Sequence, residues 1–362
     1  MQLFRGFIFI LCSPISLING FFNTPTQLLI KDTSLIKNSR QRHSFISCSL
    51  KQETPPFIPP KISDKLQGYI NLTRINKNFI PTTILNVLNG MVTNPSHITT
   101  WIINPNFITA SIMIYLFTAG SMVLNDLFDI NVDKINNPNR PLITGLISPR
   151  EAIIFTTILF SFYIFLGVYC LPNIVSPIWK VSFISILLYT PILKKIPFIK
   201  NLTCASIITS TVPFIGLSIN PGLIMKPERI TDWVPLTMRT LFITSLFIEI
   251  MLDISDRDGD AKTGIKTLPV LFGSQKTLWG LTLFLNINYI QSILLCIDSS
   301  GIFQPFIFIA LFVSYFPLFM NIFLVQRKQF SNESIKKSII STTGSMVSYF
   351  IIYIIYYIVY GK

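Results

Sequence analysis

Residues 107–133 read FITASIMIYLFTAGSMVLNDLFDINVD, an apolar run that ends on an asparagine and three aspartates. Its first 18 residues, 107–124, contain no charged side chain. A predominantly apolar segment of about 20 residues is long enough to cross the hydrocarbon core of a bilayer as a helix. The stretch therefore predicts a membrane-spanning helix whose acidic end lies at one membrane surface.

The composition extends this prediction to the whole chain. Of 362 residues, 50% are hydrophobic and 12% are charged, against roughly a quarter charged in soluble domains. The mean hydropathy is +0.57. A water-soluble fold of this length needs a more highly charged surface, and a disordered chain needs fewer apolar residues. We expect an all-α, polytopic membrane protein.

Mainly apolar windows of spanning length can be placed nine times along the chain. The windows are 78–95, 107–128, 152–171, 174–191, 201–219, 235–253, 277–297, 301–325 and 338–360. We expect about nine transmembrane helices around a central cavity, in one domain over residues 70–362.

The basic residues check this count, because loops on one side of a membrane carry an excess of lysine and arginine. With the segment before the first window placed on one side, that side (the basic side) collects most of the loop cations. These are Lys61, Lys65, Arg74, Lys77, Lys134, Arg140, Arg150, Lys194, Lys195, Lys200, Arg257, Lys262, Lys266, Lys276, Arg327, Lys328, Lys336 and Lys337. The opposite loops hold Lys226, Arg229 and Lys362. A missed span would scramble this alternation, which therefore supports nine.

The net charge of +13 follows from the same loop asymmetry. No basic stripe is interleaved with exposed aromatics, so nucleic-acid binding is not expected. The five cysteines show no CxxC spacing, and the two histidines leave little material for a zinc site or for histidine acid–base chemistry.

The first 69 residues differ from the rest. Residues 1–20 have the length and order of a secretory signal, and residues 21–50 are hydroxylated, basic and poor in acids, as transit peptides are. The tandem resembles the two-part leader of algal plastids, followed by a proline-rich linker up to residue 69. It favours a plastid membrane. A plain signal anchor, a mitochondrial inner-membrane location and the endoplasmic reticulum remain alternatives.

Half of the 16 acidic residues fall in two short clusters at the basic side. In the first, NDLFDINVD, positions Asn125, Asp129 and Asp133 follow i, i+4, i+8, and Asp126 is three residues before Asp129. On a helix these side chains share one face, where like charges repel unless a cation lies among them.

The second cluster, DISDRDGD, places Asp253, Asp256 and Asp260 at i, i+3, i+7. Glu249 is one turn deeper in the same window, and Asp258 projects elsewhere. Ionisable residues within membrane segments are costly and normally mark a functional site.

Two facing carboxylate arrays suit magnesium, which prefers oxygen ligands and shares substrate phosphates. Carboxylates cannot bind an anionic diphosphate directly, but Mg²⁺ ions can bridge the two and neutralise the leaving group. We therefore expect Mg²⁺ at these clusters. If the diphosphate is allylic, its departure leaves a delocalised carbocation, and a cavity with apolar helix walls would hold the prenyl tail and keep water away from that cation. The alternative is that these acids simply lie at solvated helix ends beside basic loops. That would readily explain a single aspartate, but it explains two clusters less well.

Two long motifs carry a family resemblance. NDLFDINVDKINNPNRPLITG (125–145) resembles the first signature of the UbiA-type intramembrane prenyltransferases, and DISDRDGDAKTGIKTLPVLFG (253–273) resembles the second. The resemblance covers the chain from about residue 70 to the C-terminus. It implies a helical bundle around a cavity, Mg²⁺ held by both motifs, and prenyl transfer to a lipophilic acceptor in contact with membrane lipids.

The resemblance also implies roles for individual residues. Asp126, Asp129, Asp133, Asp256 and Asp260 match the metal-binding and catalytic aspartates of the family. Asp253 matches a further metal-binding acid, and Asn125 matches the leading asparagine, a substrate contact.

Charge adds candidate diphosphate contacts on the basic side. Arg140 is the first choice, because arginine grips phosphate oxygens with two parallel hydrogen bonds. Tyr189 and the basic pair after it lie near where the family has a tyrosine and basic residues. In addition to Arg140, the basic candidates are Lys134, Lys194, Lys195 and Lys266. Contact with lipid headgroups is the alternative for each of them.

The acceptor is less constrained than the donor. RPLITG (140–145) is closer to the quinone and glycerolipid branches than to the tocopherol branch. A plastid leader favours an aromatic acceptor, a precursor of a quinone, tocopherol or chlorophyll. A terpene cyclase of the same fold and a cation-coupled transporter are the alternative functions. Nothing in the pattern predicts prenyl chain length or oligomeric state.

Overall fold

The computed structural model describes residues 61–95, 98–222, 233–294, 296 and 303–360, and these residues form helices and no β-strand. The α-helices are α1 (Ile62–Thr73), α2 (Ile75–Thr93), α3 (Ile98–Trp101), α4 (Pro105–Phe128), α5 (Ile130–Asn136), α6 (Pro149–Tyr169), α7 (Ser176–Tyr189), α8 (Ile199–Ile219), α9 (Trp233–Thr263), α10 (Leu268–Phe272), α11 (Ser274–Leu294), α12 (Pro305–Arg327) and α13 (Asn332–Tyr360). Single 3₁₀ turns lie at Asn173–Val175 and Leu193–Lys195. The all-α prediction is confirmed.

Each predicted span overlaps one of the longer helices, but the count of nine is approximate. Within the described ranges, six helices are long and apolar enough to cross a membrane: α4, α6, α8, α9, α12 and α13. The segment Asn173–Tyr189, which contains α7, is apolar but shorter. Helices α2 and α11 overlap the remaining two predicted spans.

Helix starts follow local capping chemistry. The Asn104 side chain accepts a hydrogen bond from the Asn106 backbone N–H at 2.8 Å, ahead of α4, and Pro105 occupies the first helical turn. At α6, Ser148 and Glu151 form a reciprocal capping box. Both arrangements satisfy backbone donors that a helix leaves unpaired at its start.

Small residues allow close approach between helices, as is usual in membrane bundles. Helix α8 packs against α2, α4 and α9, and at Gly216 an added Cβ would lie 2.7 Å from the Cβ of Thr93 on α2. Helices α12 and α13 form a second tightly packed pair, and α13 also contacts α9. The largest fully buried side chains in this half are Trp233, Phe247, Tyr315 and Tyr349.

Helix α1 lies on the outside of α4 and closes a small separate apolar cluster. It begins at Ile62, inside the segment predicted as linker, and Lys65 pairs with Glu151 of α6 at 2.5 Å. The hydrogen bond that Lys65 donates to the Glu151 carboxylate raises the pKa of Lys65. The predicted signal-like segment (1–20) and most of the predicted leader (21–60) lie outside the described residues.

Candidate active site

The first motif is not one uninterrupted helix, which corrects the prediction from spacing. Helix α4 ends at Phe128, Asp129 has φ −91° and ψ 9°, and α5 begins at Ile130. Hydrogen bonds from Asp129 N–H to the Asn125 carbonyl and from Asp133 N–H to the Asp129 carbonyl still continue across the break. The four motif side chains therefore stay near one another, although the backbone leaves helical geometry at Asp129.

Two arginines hold Asp126, which is 3% exposed. Arg140 reaches back from the loop after α5 and donates through one nitrogen, Nη1, to Asp126 and, at 2.6 Å, to Asp133. Arg74, between α1 and α2, donates to the same Asp126 oxygen at 2.9 Å. A single guanidinium thus gathers two motif carboxylates, which would otherwise repel each other.

The other first-motif polar groups are held by Lys194, in the 3₁₀ turn after α7. Its Nζ lies 2.5 Å from Asp129 Oδ2 and 3.2 Å from Asn125 Oδ1. The Asn125 amide also donates to Asp129 at 2.9 Å. The structure therefore brings Asn125, Asp129 and Lys194 together, as candidates for one polar cluster.

The second motif lies on α9, which stays helical through the motif to Thr263. Asp253 is buried, and it accepts hydrogen bonds from Lys200 and, at 3.0 Å, from the Asn201 amide of α8. Asp256 and Asp258 are exposed, and Asp260 is half-buried one turn further on. Asp256 forms no ion pair within the described part of the chain.

One short segment joins the two motifs. Lys194 contacts the first motif, and Lys200 and Asn201 contact the second. Six residues of extended chain reach at most about 20 Å. Because Lys194 and Lys200 are only six positions apart, the two carboxylate groups lie at the same end of the helices.

A cavity of about 550 Å³ lies beside the first motif and extends to the helix that carries the second. Asn125 of the first motif and Glu249, one turn from Asp253, both line it. Its walls are mostly apolar, from α2, α4, α7 and α8. The size is typical of pockets that enclose a small-molecule ligand. The expected central cavity is present.

The remaining predicted contacts differ in position. Tyr189 lines the cavity. Lys134, Lys195 and Lys266 are exposed and form no ion pair among the described residues, so the structure does not bring them onto the carboxylates.

Sequence reasoning missed Arg74, Lys200 and Asn201 as site residues. The two cations looked like ordinary loop residues on the basic side, and Asn201 looked like the first residue of a predicted span. Arg74 is 52 positions from Asp126 and Lys200 is 53 from Asp253. No local pattern predicts such a pair. A left-handed backbone at Arg74 (φ 53°) marks the position, but only in the folded chain.

The side chains present fit magnesium. Both motifs offer carboxylate oxygens, and Asn125 adds an amide oxygen, all of the hard type that Mg²⁺ prefers. No group of three His, Cys, Asp or Glu side chains in the described ranges is already gathered as a metal cluster. Instead, arginine and lysine nitrogens bind the oxygens of Asp126, Asp129, Asp133 and Asp253, which shows that these oxygens attract cations.

An all-helical bundle with long apolar helices, and with two carboxylate clusters close to an apolar cavity, is the architecture of an intramembrane enzyme. The chain belongs to the UbiA prenyltransferase family, whose model matches residues 83–360. The expected family and the expected kind of enzyme, a prenyltransferase, are thereby confirmed.

Curated relatives are archaeal digeranylgeranylglyceryl phosphate synthases. The chain is 32% identical to that of Haloquadratum walsbyi over 213 residues, which cover 58% of this chain and 68% of the relative. It is 31% identical to that of Thermococcus kodakarensis, covering 51% of this chain and 62% of the relative. For the Natronomonas pharaonis relative the match covers 56% of its length.

Solved structures share the fold. A digeranylgeranylglyceryl phosphate synthase superposes with a TM-score of 0.63 at 23% identity, covering 80% of this chain and 98% of that one. A UbiA homolog from Archaeoglobus fulgidus bound to DMAPP and Mg²⁺ gives 0.56 at 19% identity, covering 78% and 98%. At these identities the similarity shows the common architecture.

Proposed function

We propose that this chain catalyses Mg²⁺-dependent transfer of a prenyl group from an allylic diphosphate to the hydroxyl of a glyceryl phosphate lipid. The observation that carries the chemistry is the segment 194–201, whose side chains contact both carboxylate motifs. Asn125 of the first motif and Glu249, one turn before the second, line the same mostly apolar cavity. The relatives support the acceptor class, since they are named for a glyceryl phosphate product. The aromatic acceptor expected from the sequence has no such support.

The metal ligands we propose are the motif aspartates, Asp126, Asp129, Asp133, Asp253, Asp256 and Asp260. Mg²⁺ bound there supplies the positive charge that stabilises a diphosphate leaving group. Support comes from Asn125 and Glu249, which line the cavity close in sequence to the motif aspartates, and from the Mg²⁺ seen with DMAPP in the Archaeoglobus fulgidus homolog.

The cations around the motifs have a second role in this proposal. Arg140 and Lys194 already lie within hydrogen-bond distance of the motif oxygens. A diphosphate next to those oxygens is within reach of both side chains. We propose that they bind its oxygens, arginine through paired hydrogen bonds and lysine as a point charge. Lys134, Lys195 and Lys266 remain weaker candidates, because they are exposed and form no ion pair with a carboxylate in the described part of the chain.

The cavity suits the hydrocarbon tail. Its lining from α2, α4, α7 and α8 is mostly apolar, so it can hold a prenyl chain and keep water from the reacting carbon. In the transfer, the bond from prenyl C1 to the diphosphate oxygen breaks and a bond from C1 to the acceptor oxygen forms. The hydroxyl proton leaves to the released diphosphate or to water.

An acceptor panel tests the function. Purified protein with Mg²⁺ and prenyl diphosphates of several lengths is given a prenylated glyceryl phosphate, an aromatic quinone precursor, or no acceptor, and the products are measured by mass spectrometry. We expect an ether-linked product with the glyceryl phosphate alone. An aromatic product would overturn the acceptor, and a cyclic hydrocarbon without acceptor would indicate a terpene cyclase.

Motif variants test the metal assignment. Asp129→Ala and Asp256→Ala should each lower diphosphate release at saturating donor by at least about 100-fold, since each removes a proposed ligand. Asp258→Ala is the matched control, because Asp258 is exposed in the same motif and is assigned no role. Membrane insertion should be unchanged in all three. Near-normal turnover in Asp129→Ala or Asp256→Ala would contradict the assignment.

We also propose that residues 1–69 direct the protein to a plastid membrane, on the composition of the leader alone. A fluorescent reporter fused to residues 1–69 tests this. Mitochondrial or endoplasmic reticulum fluorescence would support the alternatives instead.

A further inference from the structure

Arg74 occupies an unusual position in the site. It connects α1 to α2 with φ 53° and ψ 24°, a left-handed conformation that is uncommon for residues other than glycine. Its guanidinium contacts Asp126 Oδ1 at 2.9 Å and the Met122 sulfur at 3.1 Å. The folded chain therefore fixes an arginine at this point against local conformational preference.

Arg74 differs from the other cations that hold motif carboxylates. Four basic side chains do so in the described residues: Arg74, Arg140, Lys194 and Lys200. Of these, Arg74 alone lines the 550 Å³ cavity. The other three are placed around the carboxylates but outside the lining of the lipid space.

The Arg74 guanidinium has hydrogen-bonding capacity left. It carries five N–H donors, and among the described residues it contacts one carboxylate oxygen and one thioether sulfur, the latter a weak acceptor. The side chain is 32% exposed. A further anion can therefore approach it from the cavity without displacing Asp126.

The surroundings favour an anion there. Asn78, one turn along α2, lines the same cavity wall. The first turn of α2 holds no acidic residue, and the start of a helix carries partial positive charge. The α2 wall thus combines one fixed guanidinium, a side-chain amide and a favourable field.

We propose that Arg74 binds the phosphate of the acceptor lipid, assisted by Asn78, while Arg140 and Lys194 take the donor diphosphate. The inference rests on the proposed function, in which the acceptor carries a phosphate. Under this proposal, Arg74 is the residue that makes the protein select glyceryl phosphate acceptors over their uncharged analogues. Two anionic substrates in one site need different cationic contacts, and Arg74 is the one of the four basic residues that lines the cavity.

A kinetic cycle tests the pairing. Wild type and Arg74→Gln are assayed with a prenylated glyceryl phosphate and with the same lipid lacking its phosphate. Wild type should prefer the phosphate form by about 10- to 100-fold in kcat/KM, the usual effect of one charge-assisted contact. In Arg74→Gln the kcat/KM values for the two acceptors should differ by no more than about threefold, because the substitution lowers kcat/KM only for the phosphate form. The acceptor Kd, from calorimetry, should change in parallel.

Arg150→Gln is the matched control, since Arg150 is an exposed arginine on the basic side with no ion pair among the described residues. It should keep the wild-type preference. Turnover of the uncharged lipid by Arg74→Gln shows that the variant is folded.

Three outcomes would overturn the assignment. Equal losses on both acceptors would make Arg74 structural. A raised KM for the prenyl diphosphate, with the acceptor preference intact, would place Arg74 at the donor. A wild type that accepts neither glyceryl lipid would overturn the proposed acceptor as well, which distinguishes that failure from a failure of Arg74 alone.

Discussion

Asp126 shows how single charges are arranged at this site. It is nearly fully buried, and two arginines from different parts of the chain meet at one of its oxygens. A buried carboxylate with no such partners would be strongly destabilising. The arginines therefore supply the partners that this buried carboxylate needs, and they concentrate positive charge beside the first motif.

At the same scale, Arg140→Lys should separate charge from geometry. Lysine keeps the charge but loses the planar pair of donors. We expect the KM for the prenyl diphosphate to rise about tenfold, with a smaller change in kcat, as measured by diphosphate release. Arg150→Lys should leave both constants unchanged. An unchanged KM in Arg140→Lys would remove Arg140 from the donor site.

The individual acids could be predicted from the sequence, and their partners could not. Acidic residues are scarce in this chain, so two clusters at span ends stand out against the apolar background. Basic residues are common on the same side, so nothing local distinguishes Arg74 or Lys200 from Lys134 or Lys195. Only the path of the chain in three dimensions decides which cation meets which acid.

At the scale of the helices, the two motifs are built differently. The second keeps its helix through Asp260, and the first interrupts its helix at Asp129. Spacing predicts which residues share a face, and it does so for both motifs. Spacing does not predict the interruption, because the hydrogen bonds on both sides of Asp129 are those of a helix.

Helix contacts give a prediction at this scale. Gly216→Ala should destabilise the protein by about 1–3 kcal/mol, because the new methyl would meet the branched Cβ of Thr93 at 2.7 Å. Gly344→Ala is the control, since an added Cβ there meets no atom within 4 Å apart from its chain neighbours and the nearby backbone of its own helix. Gly344→Ala should be neutral or slightly stabilising. Thermal unfolding in detergent measures both, and equal midpoints would contradict the packing argument.

For the whole molecule, hydropathy and charge asymmetry predict most of the architecture. They place a helix in every predicted window and both motifs on one side. They do not predict α1, whose polar sequence looks like a linker, although it packs on α4. They also leave open how many helices cross the membrane fully, because α7 has only 14 residues.

Ligand binding should stabilise the whole bundle. A ligand that binds only the folded state at about 100 times its Kd adds roughly 2.7 kcal/mol of stability. We expect prenyl diphosphate to raise the unfolding midpoint when Mg²⁺ is present. EDTA should abolish the shift, and Asp129→Ala should not show it. Tryptophan fluorescence during heating measures the midpoint, and a full shift in EDTA would show that donor binding needs no divalent ion.

Helix α9 is 31 residues long, which is about 46 Å at 1.5 Å per residue. The hydrocarbon layer is about 30 Å thick, so the final turns, with Asp256 and Asp260, extend toward the aqueous boundary while Glu249 remains beneath it. A hydrated metal ion can therefore reach this helix from the aqueous phase. A hydrocarbon chain can reach the same helix from the membrane interior, so neither has to leave the medium in which it dissolves.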